Sequence, residues 1–243
     1  VQLVYGVNPL LELIKQGVGG IKEIIVAVGR KGAAIDNILA HASVKGIPVI
    51  YKDKSCLDHM SEGGVHQGVA AWCADYVYAT IDQVIENKTF ANVVLILDGV
   101  TDPHNLGALV RTALCLGVKG IIIPENRASA VTATVVKASA GATHWLPIAR
   151  EVNLCRAMEE LQRRGFWIYG TDADRGVPLG KFADEGPVGL VMGSEGKGLR
   201  PLISKKCDFL LSIPMEGKLA SLNVSVAAGI ILYEIAKRQK GRM

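Results

Sequence analysis

The apolar runs at residues 93–97, 120–123, 167–170, 189–192 and 209–212 constrain the fold of this chain more than any other feature. Val93-Val94-Leu95-Ile96-Leu97 is apolar at every position, so neither alternating face is meant for water. Strands of this kind are covered on both sides, which in α/β proteins means a parallel sheet between helices. Helical patterns at 106–116, 131–140, 154–164 and 222–237 fall between or after the runs. The spacing therefore predicts a parallel α/β sheet from about residue 92 onward. Hydrophobic residues make up 49% of the chain, enough to fill such a core. No apolar run approaches the ~18 residues of a membrane span.

The residues before 75 read as a second, smaller α/β unit. Asn8-Pro9 opens a helix to about residue 16, with proline at a position where its missing N–H costs nothing. Strands are expected at 23–28, 47–51 and 69–73, and helices at 33–45 and 55–60. The expected organisation is a unit over 1–74, a linker over 75–91 with a short helix at 81–86, and a second domain over 92–243. The chain carries a net charge of +4, and the Lys and Arg of the first unit nearly balance its Asp and Glu. Charge thus permits a nucleic-acid partner without singling one out. The basic cluster at 237–242 suits a helix C-terminus as well as a phosphate backbone.

Cys56, Cys73, Cys115, Cys155 and Cys207 are scattered, and none forms a C-x-x-C pair. Neither a disulfide framework nor a metal site is expected. The start, Val1-Gln2-Leu3-Val4, shows no secretory pattern. The expectation is a cytoplasmic protein without a membrane segment.

Three segments carry chemistry. In the first, the strand ending at Leu97 enters the polar turn Asp98-Gly99-Val100-Thr101-Asp102-Pro103-His104-Asn105, followed by a helix interrupted by Arg111. Asn105 is a good N-cap by type. Arg111, among Leu109, Val110, Ala113 and Leu114, reads as buried, and a buried arginine needs an anion; Glu195 is the obvious candidate. The second segment is Gly193-Ser194-Glu195-Gly196-Lys197-Gly198. It fails the P-loop spacing, and no G-x-G-x-x-G follows a strand, so a nucleotide-phosphate enzyme is disfavoured. Its glycines suit a backbone that approaches a ligand closely. The third runs from Ile213 through Ser221, Leu222 and Asn223 into an apolar helix with the small residues Ala227, Ala228 and Gly229; Ser221 reads as its cap and Asn223 as part of its first turn.

In this order and at these distances the three segments resemble the SpoU-type (TrmH-like) branch of the SPOUT RNA 2'-O-ribose methyltransferases, over roughly the last two-thirds of the chain. The resemblance implies a C-terminal domain with a trefoil knot, an exception to unknotted topology, and S-adenosylmethionine held by Gly193, Ile213 and Leu222. It implies catalytic roles for Asn105, Arg111, Glu195, Ser221 and Asn223, and a homodimer through the C-terminal domain. Val4-Tyr5-Gly6-Val7-Asn8-Pro9 and Val65-His66-Gln67-Gly68-Val69 look like the attached substrate domain, which resembles ribosomal proteins that bind kinked RNA. The full arrangement implies methylation of a guanosine ribose in 23S ribosomal RNA. Transfer-RNA enzymes share the catalytic domain, and an RNA-binding protein with an inactive cofactor site is the other alternative. A guanidinium is a poor base at neutral pH, so Arg111 is expected to bind the phosphate beside the target ribose. His104 is a base by type, at a variable position of the motif.

Overall fold

The computed structural model describes residues 2–16, 20–182, 186–217 and 221–240. In chain order the elements are β1 (Gln2–Tyr5), α1 (Val7–Gln16), β2 (Ile21–Ala27), α2 (Ala33–Val44), β3 (Val49–Lys52), α3 (Lys54–Met60) and β4 (Val69–Cys73). Next come α4 (Ile81–Glu86), β5 (Val93–Asp98), α5 (Pro103–Cys115), β6 (Gly120–Pro124), α6 (Ala133–Ala138), β7 (Ile148–Glu151) and α7 (Leu154–Arg163). The chain finishes with β8 (Trp167–Thr171), β9 (Val177–Pro178), β10 (Val188–Gly193), α8 (Pro201–Lys206), β11 (Phe209–Ser212) and α9 (Val224–Lys240). They pack as two units: residues up to Val77 with Val131–Trp145, and Tyr78–Ala130 with the chain from Leu146 on.

The first unit is a four-stranded sheet in the order β1-β4-β2-β3, parallel between β2 and β3 and antiparallel elsewhere. His66 is buried in the loop before β4. Its Nδ1 accepts from the Gly68 N–H at 3.0 Å, so its Nε2 carries the hydrogen and donates to Asp58 Oδ1 at 2.8 Å. Gln67 sits at φ 56°, accepts from the Val7 N–H through Oε1, and accepts from Arg30 Nε through its carbonyl. Both ring nitrogens of His66 and both oxygens of Gln67 therefore tie this loop to itself and to Val7, Arg30 and Asp58.

The packing divides the chain differently from the expected 1–74, 75–91 and 92–243. Residues 131–145 belong to the first unit: Lys137 Nζ donates to the Val65 carbonyl at 2.8 Å, Trp145 Nε1 to Glu12 Oε2 at 2.9 Å, and the Tyr76 hydroxyl to the Thr143 carbonyl at 3.1 Å. Conversely, most of the expected linker, from Tyr78 on, belongs to the second unit. Thr80 closes a capping box with Gln83, and Val84 of α4 is fully buried in the cluster with Ile96, Ile122 and Ala149.

In that same segment His144 is partly buried, and among the described residues its Nε2, itself shut off from water, has no hydrogen-bond partner. Desolvation pushes its pKa down from 6.5 to about 4. The unfolded chain therefore binds a proton between these values that the folded chain does not. The contribution is complete above pH 6.5 and is lost as pH falls, by about 2 kcal/mol at pH 5. Urea unfolding at pH 7 and pH 5 should show this loss in the wild type and a smaller one in His144→Leu; equal pH dependence would refute it.

The second unit is a seven-stranded sheet among the described residues, in the order β7-β6-β5-β10-β8-β11-β9, with every pairing parallel. Strand alternation sends Val94 and Ile96 to the face packed by α4, α7 and α8 through Val84, Met158, Leu161 and Ile203. On the other face α5 and α9 pack together and against the sheet. Gly229 of α9 lies close enough to Thr112 that an added Cβ would touch its methyl at 3.6 Å. The carboxyl ends of β5, β10 and β11 therefore open toward the first turns of α5 and α9, where parallel sheets place ligands.

Candidate active site

Helix α5 starts earlier than its sequence suggests. Asp102 is its N-cap, accepting from the His104 N–H, and Pro103 takes the first turn. Asn105 is thus not the cap, and its side chain is free to reach outward. Helix α9 starts later: Asn223, rather than Ser221, does the capping, its Oδ1 accepting from the Ser225 N–H and Oγ–H at 2.9 and 2.6 Å. This leaves the Asn223 amide group to donate to Glu195 Oε1 at 2.6 Å and Asn105 Oδ1 at 2.9 Å. Asn105 Nδ2 donates to the same Glu195 oxygen at 3.1 Å, and the Val224 N–H reaches it at 3.3 Å. A carboxylate only accepts, so both amide orientations are fixed by Glu195. Its place over the first turn of α9 also favours the anion. Three segments far apart in the chain meet at this one oxygen.

Glu195 rides on a tight turn. Ser194 and Gly198 exchange backbone hydrogen bonds at 3.1 and 2.9 Å, with Gly196 and Gly198 at φ 75° and 63°. Behind the turn, a Cβ on Gly193 would fall 2.2 Å from the Gly198 carbonyl carbon. Gly193 is therefore required by the protein's own backbone, a different reason from the close approach to a ligand that the sequence suggested. Gly193→Ala should already displace the turn and weaken cofactor binding at least tenfold by calorimetry. Unchanged affinity would show that the turn does not shape the cavity.

That cavity, of about 480 Å³, is lined by Gly193, Glu195 and Leu199 in and beside the turn, by Leu211, Ile213 and Met215 at the end of β11 and beyond it, by Ser221 and Leu222, and by Thr171 and Asp172 at the end of β8. Its size is in the range that takes small cofactors. Asp172, unforeseen in the sequence, is gripped by the Arg175 guanidinium and backbone, which hold its carboxyl below its ordinary range. Lys218, Leu219 and Ala220 of the third motif lie outside the described residues, as do Gly241 and Arg242 of the basic cluster.

Arg111 is not where the sequence suggested. It is exposed, and among the described residues it makes no hydrogen bond or ion pair, with Glu195 or any other group. Leu106, Leu109, Val110 and Ala113 fill the buried face of α5 and turn Arg111 to the opposite side. Six helical residues separate it from Asn105, about 9 Å along the axis and roughly 120° around it. His104 is exposed too. The structure thus gathers Gly193, Glu195, Ile213, Ser221 and Leu222 around one cavity, attaches Asn105 and Asn223 through Glu195, and leaves Arg111 apart.

Residues 92–233 match the SpoU rRNA Methylase family, and residues 3–79 match the RNA 2'-O ribose methyltransferase substrate-binding family. A Bacillus subtilis protein provisionally named TrmH family tRNA/rRNA methyltransferase YacO is 42% identical over 239 residues, 97% of this chain and 95% of its own length. The 23S rRNA (guanosine-2'-O-)-methyltransferase RlmB of Pseudomonas aeruginosa is 40% identical, over 97% of this chain and 96% of its own. The fold is shared with the SpoU methyltransferase AviRb of Streptomyces viridochromogenes, solved with AdoMet. The TM-score is 0.82 at 24% identity, covering 98% of this chain and 90% of that one.

Proposed function

Since the chain belongs to the SpoU family of RNA 2'-O-methyltransferases, we propose that it methylates the ribose 2'-hydroxyl of a guanosine in 23S ribosomal RNA, as a cytoplasmic homodimer using S-adenosylmethionine. The carrying observation is the meeting of Asn105, Glu195 and Asn223 beside the cavity lined by Gly193, Ile213 and Leu222. The cavity suits this cofactor by its mixed character. Apolar Met192, Ile213, Leu222 and Ile231 can enclose an adenine and the methylene groups beside the sulfonium, the backbone of 193–199 and 211–215 offers donors and acceptors, and Asp172 is an anion for an ammonium. The knot implied by the family is part of this reading.

When bound, S-adenosylmethionine supplies a methyl group that its sulfonium has already made electrophilic. What remains for the protein is placement of the 2'-oxygen and help with its proton, so positioning dominates. Glu195 fixes Asn105 and Asn223 through Oε1, while its Oε2 makes no bond among the described residues and can accept from a hydroxyl. Arg111, exposed and without an ion pair among the described residues, is free to take as its counter-ion the phosphate beside the target ribose. The substrate domain supplies the wider RNA contact. Dimerisation is supported by α9, where Val226, Ile230 and Tyr233 recur at i, i+4 and i+7 and are 50%, 40% and 60% exposed. Among the described residues no helix is long and apolar enough to cross a membrane, and no group of three or more His, Cys, Asp or Glu could hold a metal ion.

The test is methyl transfer from labelled S-adenosylmethionine by the full-length protein to 23S ribosomal RNA and to bulk transfer RNA, with the labelled nucleotide mapped. Label on one guanosine ribose of 23S RNA is expected. Label confined to transfer RNA, or carried on a base, would overturn the substrate assignment.

A further inference from the structure

Asp98 closes β5 with its side chain 0% exposed, and its carboxylate is committed to one residue 102 positions away. Oδ2 accepts from the Arg200 backbone N–H at 2.9 Å and Oδ1 from Arg200 Nε at 2.6 Å. Because the backbone amide occupies the second oxygen, the guanidinium meets the carboxylate through Nε alone. Its two terminal nitrogens make no bond among the described residues, and the side chain is 51% exposed. The pair neutralises Asp98 with one of the three guanidinium nitrogens. Here one edge of the guanidinium is tethered and the other is left uncommitted.

The tether lies at the site's end of the sheet. In the parallel register Asp98 stands beside Gly193, where the Glu195 turn begins, and Arg200 follows that turn directly. We propose that Arg200 is a second RNA-phosphate contact, at the edge of the catalytic cavity, and that Asp98 is the positioning residue that holds its guanidinium ready. The inference rests on the RNA methyltransferase reading. A planar fork whose rotamer is already fixed spends less side-chain freedom on binding a phosphodiester than a free surface lysine does.

The full-length protein carrying Arg200→Gln or Arg200→Lys tests this, with filter binding of 23S RNA over a range of salt, steady-state kinetics and cofactor calorimetry. Arg200→Gln should raise the RNA KM about tenfold and reduce the slope of log affinity against log salt by about one. Its affinity for S-adenosylmethionine should stay within about threefold of wild type. Arg200→Lys keeps the charge, and should keep the slope while recovering only part of the KM. Asp98→Asn, if its melting curve shows a folded protein, should raise the RNA KM with the slope retained; if it does not fold, Arg200→Gln decides alone. An unchanged RNA KM and salt slope in Arg200→Gln overturns the proposal. So does loss of cofactor affinity in parallel with RNA affinity, which would make the pair a brace for the turn. A wild-type protein that neither binds nor methylates RNA would instead remove the underlying reading, and would be seen before any variant is made.

Discussion

Arg111→Ala is expected to lower methyl transfer by at least about 10³-fold while S-adenosylmethionine affinity and melting temperature stay near wild type. Arg111 is exposed and makes no bond within the described residues, so its removal leaves no buried group unpaired and opens no cavity. A loss of that size is in the range seen when a group that stabilises charge at a reacting centre is deleted. Arg111→Lys should recover only a small part of the activity, because an ammonium cannot present two parallel N–H groups to a phosphate. Single-turnover methylation of 23S RNA, with cofactor calorimetry on the same preparations, separates the outcomes. Turnover within about tenfold of wild type in Arg111→Ala would remove this residue from the reaction.

Glu195→Gln is expected to cost about 10²-fold in turnover for a different reason. The glutamine is nearly isosteric, but its amide group would place donors where Asn105, Asn223 and the Val224 N–H all donate. Whichever way the amide turns, the charge that drew those three donors to one point is gone. Glu195 is exposed, so water can solvate the released amides and the stability cost should be about 1 kcal/mol. Cofactor affinity should weaken several-fold, since the same turn lines the cavity. Activity within threefold of wild type would show that the cluster is a structural tie. Asn105→Ala and Asn223→Ala should each be milder than Glu195→Gln, and Asn223→Ala should cost more stability because it also uncaps α9.

Much of the sheet was legible in the sequence because it depends on local pattern. Residues 93–97 and 209–211 are apolar throughout, and a double-faced strand has few alternative explanations. β7 and β9 were not legible. Ile148-Ala149-Arg150-Glu151 is half charged, and Val177-Pro178 is a two-residue strand whose pairing with β11 is set by register alone. The three site segments could be found from residue type and spacing, but their hydrogen-bond partners could not. Asn105 and Asn223 exchanged their expected roles because the cap was decided by neighbours: Asp102 outcompeted Asn105, and the last helix began two residues later than expected, at Val224. Arg111 illustrates the limit of apolar context. Leu109, Val110 and Ala113 surround it in sequence but lie on the opposite face of the helix. Asp98, which read as the first residue of the polar turn, gave no sign of its partner, because Arg200 is far along the chain and is brought to it by the sheet's parallel register.

The contribution of residues 131–145 to the first unit bears on how that unit can be handled as a module. The chain leaves the first unit, returns to it and leaves it again, so its boundary is not a single point. A protease nick between residues 76 and 78 would cut one covalent thread, yet the amino-terminal fragment would still be anchored by Lys137 to Val65, by Trp145 to Glu12 and by Tyr76 to Thr143. A graft that transplants only the first 77 residues would remove the Lys137 ammonium that lies 4.6 Å from the centre of the Tyr5 ring, and the contacts that Trp145 makes to Glu12 and Thr143 to Tyr76. The transferable piece is discontinuous, and exchanging it between relatives means exchanging two stretches of sequence together.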